Sequence, residues 1–400
     1  MKVKLLYVTT IPETLRLFLL GQMRYMRDKG FEVHAASGPG EDLNHLATSE
    51  KIRVHAVPMT RGVSPLKDVV AFISLWWLFV KIRPTIVHGS TAKAGLLSMM
   101  AAALCRIPVR VYTLRGLISE LGSGPVNMIL RALEWIACRC ANQVLAVSRS
   151  VADTISREKL CPGEKIGVLE NGSSKGVDAE DRFNPLHVNK QDVETLRSQY
   201  RIPMDATVMG FVWRIVRDKG IVELAAAWQR LKRDYPALFL VMIGPAEPWD
   251  PVPSEILAAL RGDPRVIILD FVPNKYMPKH YLMMDLVVLP TYREGFPNVP
   301  LEAAAMGLPV VATRVTGCVD AVVEDVTGTL VAARDPAALE NAIRFYLNDP
   351  ALRKTRGKAG RQRVMTDFRP ELIWDAQYRV YVRLLNALGL SVAETKTDPV

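Results

Sequence analysis

The sequence predicts an α/β protein made of two doubly wound domains, each with a parallel sheet covered by helices on both faces. Short apolar runs alternate with helix-length segments along the chain, and these runs are apolar at nearly every position. The alternation restarts after a polar, proline-bounded stretch at 184–203. Continuous apolar runs are typical of parallel strands buried on both faces, and 400 residues exceed what one core usually supports.

The first half of the chain contains seven predicted strands, at residues 3–8, 32–36, 53–56, 86–88, 109–113, 143–147 and 166–169. Helical periodicity predicts helices between them at 14–29, 66–82, 93–105 and 126–139. These elements define an N-terminal Rossmann-like domain over residues 1–190, with the stretch 184–203 as the linker.

Strands and helices alternate again after the linker. The predicted strands are at 206–212, 238–243, 266–269, 286–290, 309–312 and 330–332, and the helices are at 221–234, 254–261, 299–306 and 336–347. They define a C-terminal Rossmann-like domain over residues 191–370. An amphipathic segment at 371–390 predicts a final helix that packs back onto the N-terminal domain. Ligands of open α/β folds bind at the carboxyl ends of the strands, so we expect a cleft between the two domains to hold them.

Composition limits the possible classes of protein. A hydrophobic fraction of 49% is that of a globular protein and excludes wholesale disorder. The 5 cysteines and 6 histidines are scattered, which predicts reduced thiols, no disulfide framework, no metal site and a cytoplasmic location. The most apolar window, residues 69–80, is too short to span a bilayer.

The excess of positive charge lies in the first part of the chain. Residues 1–150 contain 19 Lys and Arg against 9 Asp and Glu, whereas the remaining residues contain 32 of each. Positive charge concentrated in this way favours an anionic partner, such as a membrane, a lipid-linked phosphate or a nucleic acid. Solubility alone is the simpler explanation.

The most informative motif is the loop and helix start at 293–303, which follows the apolar run 286–290. Glu294 precedes a glycine, and Glu302 lies eight residues later in the first turns of the predicted helix. Asn298 is placed to cap that helix. A strand, a glycine-containing loop and a helix N-terminus form an anion-binding arrangement, and paired carboxylates can accept from the adjacent hydroxyls of a sugar or ribose. Taken alone, the motif is explained equally well if Glu294 is an ordinary charged loop residue and Glu302 is an acidic residue favoured by the helix dipole.

A second charged loop follows the strand predicted at 206–212. Arg214 and Lys219 lie within it, and Lys219 directly precedes a glycine. An arginine fork and a lysine point charge are together suited to clamping a diphosphate. The alternative is a solvated charged loop, which is what we expect for Arg217 and Asp218.

Taken in order, Arg-x4-Lys-Gly and Glu-x7-Glu resemble the motifs of the retaining glycosyltransferases of family 4, and the chain looks like the members that build bacterial surface polysaccharides. The resemblance covers nearly the whole chain. It extends to Ile86–His88, Ala92–Gly95, Tyr112–Leu117, Val147–Ser148, Asn171–Gly172, Val177–Asp178, Ala303–Thr313 and Thr327–Gly328. It implies the GT-B fold, in which two doubly wound Rossmann-like domains face each other across a cleft.

The resemblance also implies a site for a nucleotide-diphosphate sugar, with UDP as the expected nucleotide and GDP as the alternative. Arg214 and Lys219 would bind the donor diphosphate, Glu302 the ribose, and Glu294 the transferred sugar. The other donor-binding positions that it implies are Gly295, Phe296, Asn298, Val299 and Leu301. No metal or other cofactor is expected, since the basic residues and the helix N-terminus would neutralise the diphosphate. Retention by front-face attack would depend on stabilising the leaving group.

The chain departs from the family pattern in three places. Arg115 stands where many members have a histidine beside the sugar, so Arg115 would instead bind a phosphate or an acidic sugar, or pair with Glu120. That substitution leaves the identity of any catalytic base open. The first loop, residues 9–13, lacks the glycine pair often found there. Pro297 and Pro300 remove two amide donors from the phosphate loop.

Two more residues in the first half are candidates for substrate binding. His88 ends a predicted strand and is either a ligand contact or a satisfied core histidine. Lys93 lies in the first turn of a predicted helix, where a positive charge is unfavourable for the helix dipole. A bound anion would explain its position.

We expect a glycan acceptor, linked to a polyprenyl diphosphate, to dock on the basic N-terminal domain. The segment 14–29 has leucines beside arginines and fits either an interfacial helix or a buried amphipathic helix. The run 75–79, with two tryptophans, has a similar character. Both favour a peripheral enzyme on the inner face of the cell membrane.

Three other functions compete with this prediction. A nucleotide-sugar 2-epimerase shares the fold but is not expected to carry these Arg/Lys and Glu/Glu pairs in this order. A Rossmann dehydrogenase needs a glycine-rich turn after its first strand, and residues 9–14 contain no glycine. A non-enzymatic module that binds nucleic acid or another anionic surface is permitted by the basic first part of the chain, although it contains no recognisable nucleic-acid-binding motif.

Overall fold

The computed structural model describes residues 2–62, 64–117 and 124–392. The chain divides into two compact units. Unit 1 consists of residues 1–175 and 371–400, and unit 2 consists of residues 176–370. The division between the units falls earlier than the boundary predicted at 190.

Unit 1 contains one parallel sheet. Its strands are β1 (Lys4–Val8), β2 (Glu32–Ser37), β3 (Arg53–Ala56), β4 (Ile86–Ser90), β5 (Val109–Leu114), β6 (Gln143–Ala146) and β7 (Ile166–Val168). They lie in the order β3-β2-β1-β4-β5-β6-β7, so all seven predicted strands are confirmed. The first helices of this unit are α1 (Pro12–Leu19), α2 (Gln22–Asp28), α3 (Glu41–Glu50), α4 (Pro65–Ile82), α5 (Ala92–Leu104), α6 (Gly124–Cys140) and α7 (Arg149–Arg157).

Helices cover both faces of this sheet because successive strand residues point to opposite sides. In β1, Leu6 and Val8 belong to the core cluster that also contains residues of α4 to α7. Leu5 and Tyr7 belong to the opposite cluster, with residues of α1 to α3. A strand buried on both sides must be apolar at every position, which is the pattern that predicted it.

The single helix predicted at 14–29 is wrong in its extent, because α1 and α2 meet at a break. Gly21 has φ +81° there, and a Cβ on Gly21 would lie 2.8 Å from the ring of Trp374. Leu15 and Leu19 of α1 are buried against the sheet. This placement favours the buried amphipathic alternative over an interfacial helix.

Unit 2 has a second parallel sheet. Its strands are β8 (Thr207–Val212), β9 (Leu238–Ile243), β10 (Val266–Leu269), β11 (Leu286–Leu289), β12 (Val310–Thr313) and β13 (Gly328–Val331), in the order β10-β9-β8-β11-β12-β13. Its helices are α8 (Lys190–Gln199), α9 (Ile221–Asp234), α10 (Ser254–Arg261), α11 (Met277–Leu282), α12 (Asn298–Ala305), α13 (Cys318–Ala321), α14 (Pro336–Asn348) and α15 (Pro350–Asp367).

The linker predicted at 184–203 is wrong, because this stretch belongs to unit 2 and contains α8. The side chain of Asn189 accepts from the amide of Gln191 and caps the helix. Leu196 is buried, and Arg197 donates to the carbonyl of Met283 at 2.8 Å. The stretch 184–203 is polar because most of α8 faces solvent and only Leu196 of this helix is buried.

The last helix, α16 (Pro370–Asn386), packs onto unit 1 through a polar group of core residues. His88 hydrogen-bonds through Nδ1 to the Tyr381 hydroxyl at 2.5 Å and through Nε2 to Thr113 Oγ1 at 2.6 Å. Gln377 donates to the Tyr7 hydroxyl at 3.4 Å. Tyr381 is fully buried, so these hydrogen bonds hold α16 against the sheet from inside the core.

His88 is neutral in the folded protein. Burial, with a further contribution from the positive charge of Arg115, lowers the pKa of His88 to about 3. Both ring nitrogens have hydroxyl partners, which a neutral imidazole satisfies with one donor and one acceptor. This environment favours the core-histidine alternative for His88.

None of the helices in the described parts of the chain has the length and apolarity needed to cross a bilayer.

We predict that His88 makes unit 1 less stable as the pH falls. The unfolded chain binds a proton at His88 below its ordinary pKa of about 6.5, whereas the folded chain does so only near pH 3, so acid favours unfolding. Between pH 7 and pH 5 this residue should remove about 2 kcal/mol of stability. Urea denaturation of His88→Asn at both pH values should show a smaller loss on acidification than the wild type. His45→Asn, at an exposed histidine, is the control and should lose as much stability on acidification as the wild type. Equal losses of stability in all three proteins would contradict the prediction.

Candidate active site

The two loops predicted to carry chemistry lie side by side in unit 2. β8 and β11 are adjacent parallel strands, so the loops after them, 213–220 and 290–297, leave the same edge of the sheet. Gly220 has φ +71°, and a Cβ there would lie 2.0 Å from the carbonyl oxygen of Pro290. Only glycine therefore permits this close approach.

Lys219 connects the two loops through its ammonium group. Its Nζ donates to Glu294 Oε1 at 2.8 Å, to Thr291 Oγ1 at 3.3 Å and to the carbonyl of Arg293 at 3.3 Å. The side chains of Lys219 and Glu294 are only 5% and 10% exposed. Because a buried ion pair is stable only when its remaining hydrogen bonds are also satisfied, the extra contacts of Lys219 matter.

Asp218 is not the solvated charge that we expected. Its Oδ2 accepts from Arg293 Nη2 at 2.9 Å, and its amide donates to Asp250 Oδ2 at 2.8 Å. The expectation is wrong because Arg293 and Asp250 belong to other loops, which a local pattern of charge does not reveal.

Arg214 is held by two residues that the sequence analysis did not single out. Its Nη1 donates to Glu247 Oε2 at 3.1 Å, and its guanidinium lies 5.2 Å from the ring centroid of Trp249. Both partners are in the loop that follows β9, the strand next to β8. Their position just after a neighbouring strand is the signal that could have identified them.

The first turn of α12 differs from the prediction. Asn298 was expected to cap this helix, but it is the first helical residue, and the capping position is occupied by Pro297, which makes no side-chain bond. Because Pro297 and Pro300 have no N–H, the first-turn amides are those of Asn298 and Val299, with Leu301 next. All of α12 is buried.

Gly317 supports the loop that leads into α12. It has φ +77°, and a Cβ there would lie 2.4 Å from the carbonyl oxygen of Gly295. The neighbouring Phe296 is buried, with its ring 5.7 Å from that of Phe368. Cys318 is also buried, and burial, together with the charge of Glu294, raises the pKa of its thiol well above the ordinary value. Gly317 was not predicted as a site residue, although its position shortly after β12 could have identified it.

Glu302 is buried within α12 and accepts from the hydroxyl of Tyr281 at 3.0 Å. Burial and the negative charge of Glu302 raise the pKa of Tyr281 well above its ordinary value, so the tyrosine remains a donor. Of the predicted donor residues, Lys219 and Glu294 are thus in direct contact, whereas Arg214 and Glu302 are oriented by other partners.

The predicted substrate residues of unit 1 have mixed environments. Lys93 Nζ contacts Asp68 Oδ1 at 2.5 Å and the carbonyl of Gly62, so a carboxylate balances its charge in the absence of any bound anion. Arg115 Nε donates to Ser90 Oγ at 2.6 Å. Glu120 lies outside the described residues. Within the described ranges, no group of three or more His, Cys, Asp or Glu side chains is arranged to hold a metal ion.

Two family models match the chain, one in each half. Residues 18–174 match the model described as Glycosyltransferase Family 4, and residues 192–363 match the model described as Glycosyl transferases group 1.

Two curated proteins are similar over most of their length. The capsular polysaccharide biosynthesis glycosyltransferase CapM of Staphylococcus aureus is 33% identical over 94% of this chain and 96% of its own. The Escherichia coli UDP-Gal:α-D-GlcNAc-diphosphoundecaprenol α-1,3-galactosyltransferase is 26% identical over 88% and 89%.

Solved structures share the fold. A glycosyltransferase from Rickettsia africae has a TM-score of 0.78 at 20% identity, covering 96% of this chain and 99% of that one. Anabaena HepE in complex with UDP and glucose also has a TM-score of 0.78 at 20% identity, covering 95% and 99%.

We predict that Gly317 supports the shape of the 290–297 loop. Gly317→Ala forces a Cβ into the carbonyl of Gly295, whereas Gly307→Ala is a matched control with φ +79° and nothing within 4 Å of the added Cβ. Both substitutions should cost about 1–2 kcal/mol for their positive φ. Urea denaturation should show a further loss for Gly317→Ala only, and equal stability of the two variants would contradict the overlap.

Proposed function

The chain belongs to glycosyltransferase family 4, and on that basis we propose that it transfers a sugar from a UDP-sugar to a glycan acceptor with retention of configuration. The observation that carries the proposal is the buried contact of Lys219 with Glu294 at 2.8 Å. It places a cation and a carboxylate together at the carboxyl ends of two adjacent strands, where open α/β folds bind ligands.

Lys219 and Arg214 bind the donor diphosphate. Lys219 supplies a point charge from a fixed position, because Glu294 and Thr291 hold its ammonium group. Arg214 supplies a fork for phosphate oxygens, and Trp249 supports its guanidinium plane. A diphosphate has more negative charge than Glu247 and competes with that carboxylate for Arg214.

The residues around α12 bind the two sugars of the donor. Glu302, oriented by Tyr281, accepts from the ribose hydroxyls. Glu294 and the loop amides of Gly295 and Phe296 hold the transferred sugar. At the positive end of the helix dipole, phosphate oxygens accept hydrogen bonds from the amides of Asn298, Val299 and Leu301.

The reaction proceeds through stabilisation of the leaving nucleotide. Cleavage of the glycosidic bond leaves additional negative charge on the diphosphate, which Lys219 and Arg214 stabilise more in the transition state than in the ground state. Two side-chain cations and the amides of α12 neutralise that charge without a metal ion. The acceptor hydroxyl then attacks the face that the diphosphate leaves and gives its proton to an oxygen of the departing diphosphate, and the new bond forms with retention of configuration.

The acceptor is a growing bacterial surface polysaccharide linked to a polyprenyl diphosphate, as in capsule, exopolysaccharide or O-antigen synthesis. Two similarities support this choice: one relative is named for capsular polysaccharide biosynthesis and the other for a diphosphoundecaprenol-linked substrate. The acceptor binds to unit 1, where the positive charge of residues 1–150 attracts an anionic lipid-linked substrate.

Unit 1 contacts the inner face of the membrane through α4 rather than through α1 and α2. One side of α4 is buried, through Ala71, Leu75, Phe79 and Ile82. Its other side exposes a second apolar stripe at helical spacing, formed by Leu66, Val69, Val70, Ile73, Trp77 and Val80. Such a stripe, with a tryptophan and flanking basic residues, suits the interface of an anionic bilayer.

We predict that UDP binds to unit 2 without a metal ion. UDP at about 100 times its dissociation constant should add about 2.7 kcal/mol of stability, and EDTA should not change this effect. The double variant Arg214→Ala/Lys219→Ala should lose the shift in Tm, whereas Arg261→Ala, which removes an exposed charge of the same unit, should keep it. A shift with GDP alone would change the donor class, and the absence of a shift with UDP, GDP, ADP or NAD would contradict the proposed function.

We predict that the stripe on α4 is needed for membrane binding. The double variant Ile73→Glu/Trp77→Glu should no longer sediment with vesicles that contain phosphatidylglycerol, because both new charges would have to enter the apolar part of the membrane interface. Leu186→Glu, at an exposed leucine of unit 2, is the control and should sediment like the wild type. Wild-type binding of the double variant would exclude α4 as the membrane contact.

A further inference from the structure

Arg115 lies at the ligand-binding edge of the sheet in unit 1. It follows β5 directly, and β5 lies between β4 and β6. Its Nε donates to Ser90 Oγ at 2.6 Å, and its guanidinium lies over the ring of Phe18, with 4.2 Å to the centroid. The Nη1 atom is buried and has no hydrogen-bond partner in the described part of the chain. The side chain is thus held in place while part of its donor fork is unused.

The positive charge of Arg115 has no carboxylate partner among the residues that the structure describes. Burial lowers the pKa of Arg115 to about 9, and no negative charge among the described residues opposes that shift. The group is still charged near neutral pH. Its contacts with Ser90 and Phe18 are with neutral groups, which compensate a buried cation only in part.

Arg115 also lines a small opening in unit 1, with an inner volume of about 20 Å³. Thr113, Ser173 and Ser174 contribute hydroxyl groups to its lining, and much of the remainder is apolar. His88 is the other ionisable residue of the lining, and it is neutral because burial lowers its pKa to about 3. Arg115 therefore supplies the positive charge of this opening.

We propose that Arg115 and the opening that it lines bind an anionic group of a substrate that docks on unit 1. A guanidinium fork matches the oxygens of a phosphate or carboxylate, and the serine hydroxyls are suited to the remaining oxygens. The anion is either a phosphate of the lipid-linked acceptor or the carboxylate of an acidic sugar in the glycan. This inference rests on the proposed function, since the acceptor delivers the anion.

Calorimetric titration with inorganic pyrophosphate, D-glucuronate and D-glucose tests the proposal. Saturating UDP is present, so that pyrophosphate is not bound by the donor site. We compare the wild type with Arg115→Gln, which removes the charge and the fork, and with Arg61→Gln, which removes an exposed charge of the same unit. Two hydrogen bonds to a charged group are lost in Arg115→Gln, so its affinity for the anion should fall about tenfold or more.

Binding of pyrophosphate that is weakened only by Arg115→Gln supports the proposal and identifies a phosphate. Binding of glucuronate but not glucose, weakened in the same way, supports it and identifies a carboxylate. Failure of both anions to bind the wild type, or equal affinity in the wild type and both variants, overturns it. Where Arg115→Gln does not fold, Arg115→Lys replaces it, and wild-type affinity in that variant overturns the role of the fork.

The direct binding of UDP separates this inference from the proposed function. If UDP binds and Arg115→Gln has no effect on either anion, the anion site fails and the donor site stands. If UDP does not bind, the proposed function fails. The anion titrations are then repeated without UDP, and the same comparison of the wild type with both variants tests whether Arg115 binds the anion.

Discussion

The arrangement of the candidate site in unit 2 depends on one buried ion pair, between Lys219 and Glu294. Two charges removed from water are costly unless each finds close partners, and here the partners come from loops that follow adjacent strands. The pair forms only because Gly220 lets the first loop pass within contact of Pro290. Removing Lys219 would leave the buried carboxylate of Glu294 without its cation, so the pair holds the two loops together.

His88 and Arg115 of unit 1 respond in opposite ways to the cost of burying a charge. His88 avoids the cost of a buried charge by remaining neutral, and hydroxyl groups satisfy both of its ring nitrogens. Arg115 keeps its charge, and among the described residues its Nη1 has no hydrogen-bond partner. A satisfied neutral group contributes to the fold, as the contact of His88 with α16 does. A cation with fewer partners contributes less to stability.

The thirteen strands of the described residues coincide with the predicted ones, and most of them are apolar because both of their faces are buried. The edge strands β3 and β7 are only partly buried. The errors arose where a local pattern had two physical explanations. The polar stretch 184–203 indicated a linker, but the capped α8 occupies it. The run 14–29 indicated one helix, yet Gly21 divides it. Asn298 has a capping side chain but lies one position inside the helix. In each case a contact distant in sequence, or one residue of register, decided the outcome.

The sequence by itself determined the fold class, the family and the residues that follow the carboxyl ends of the strands, because periodicity and spacing are properties of the chain alone. Only the tertiary structure decided which of these residues pair. It joined Lys219 to Glu294, Arg214 to Glu247 and Trp249, and Glu302 to Tyr281. Within the described residues, it left Arg115 without a counter-ion. The physical reason is that charge, protonation and hydrogen bonding depend on burial and on partners brought together by folding, which spacing along the chain does not specify.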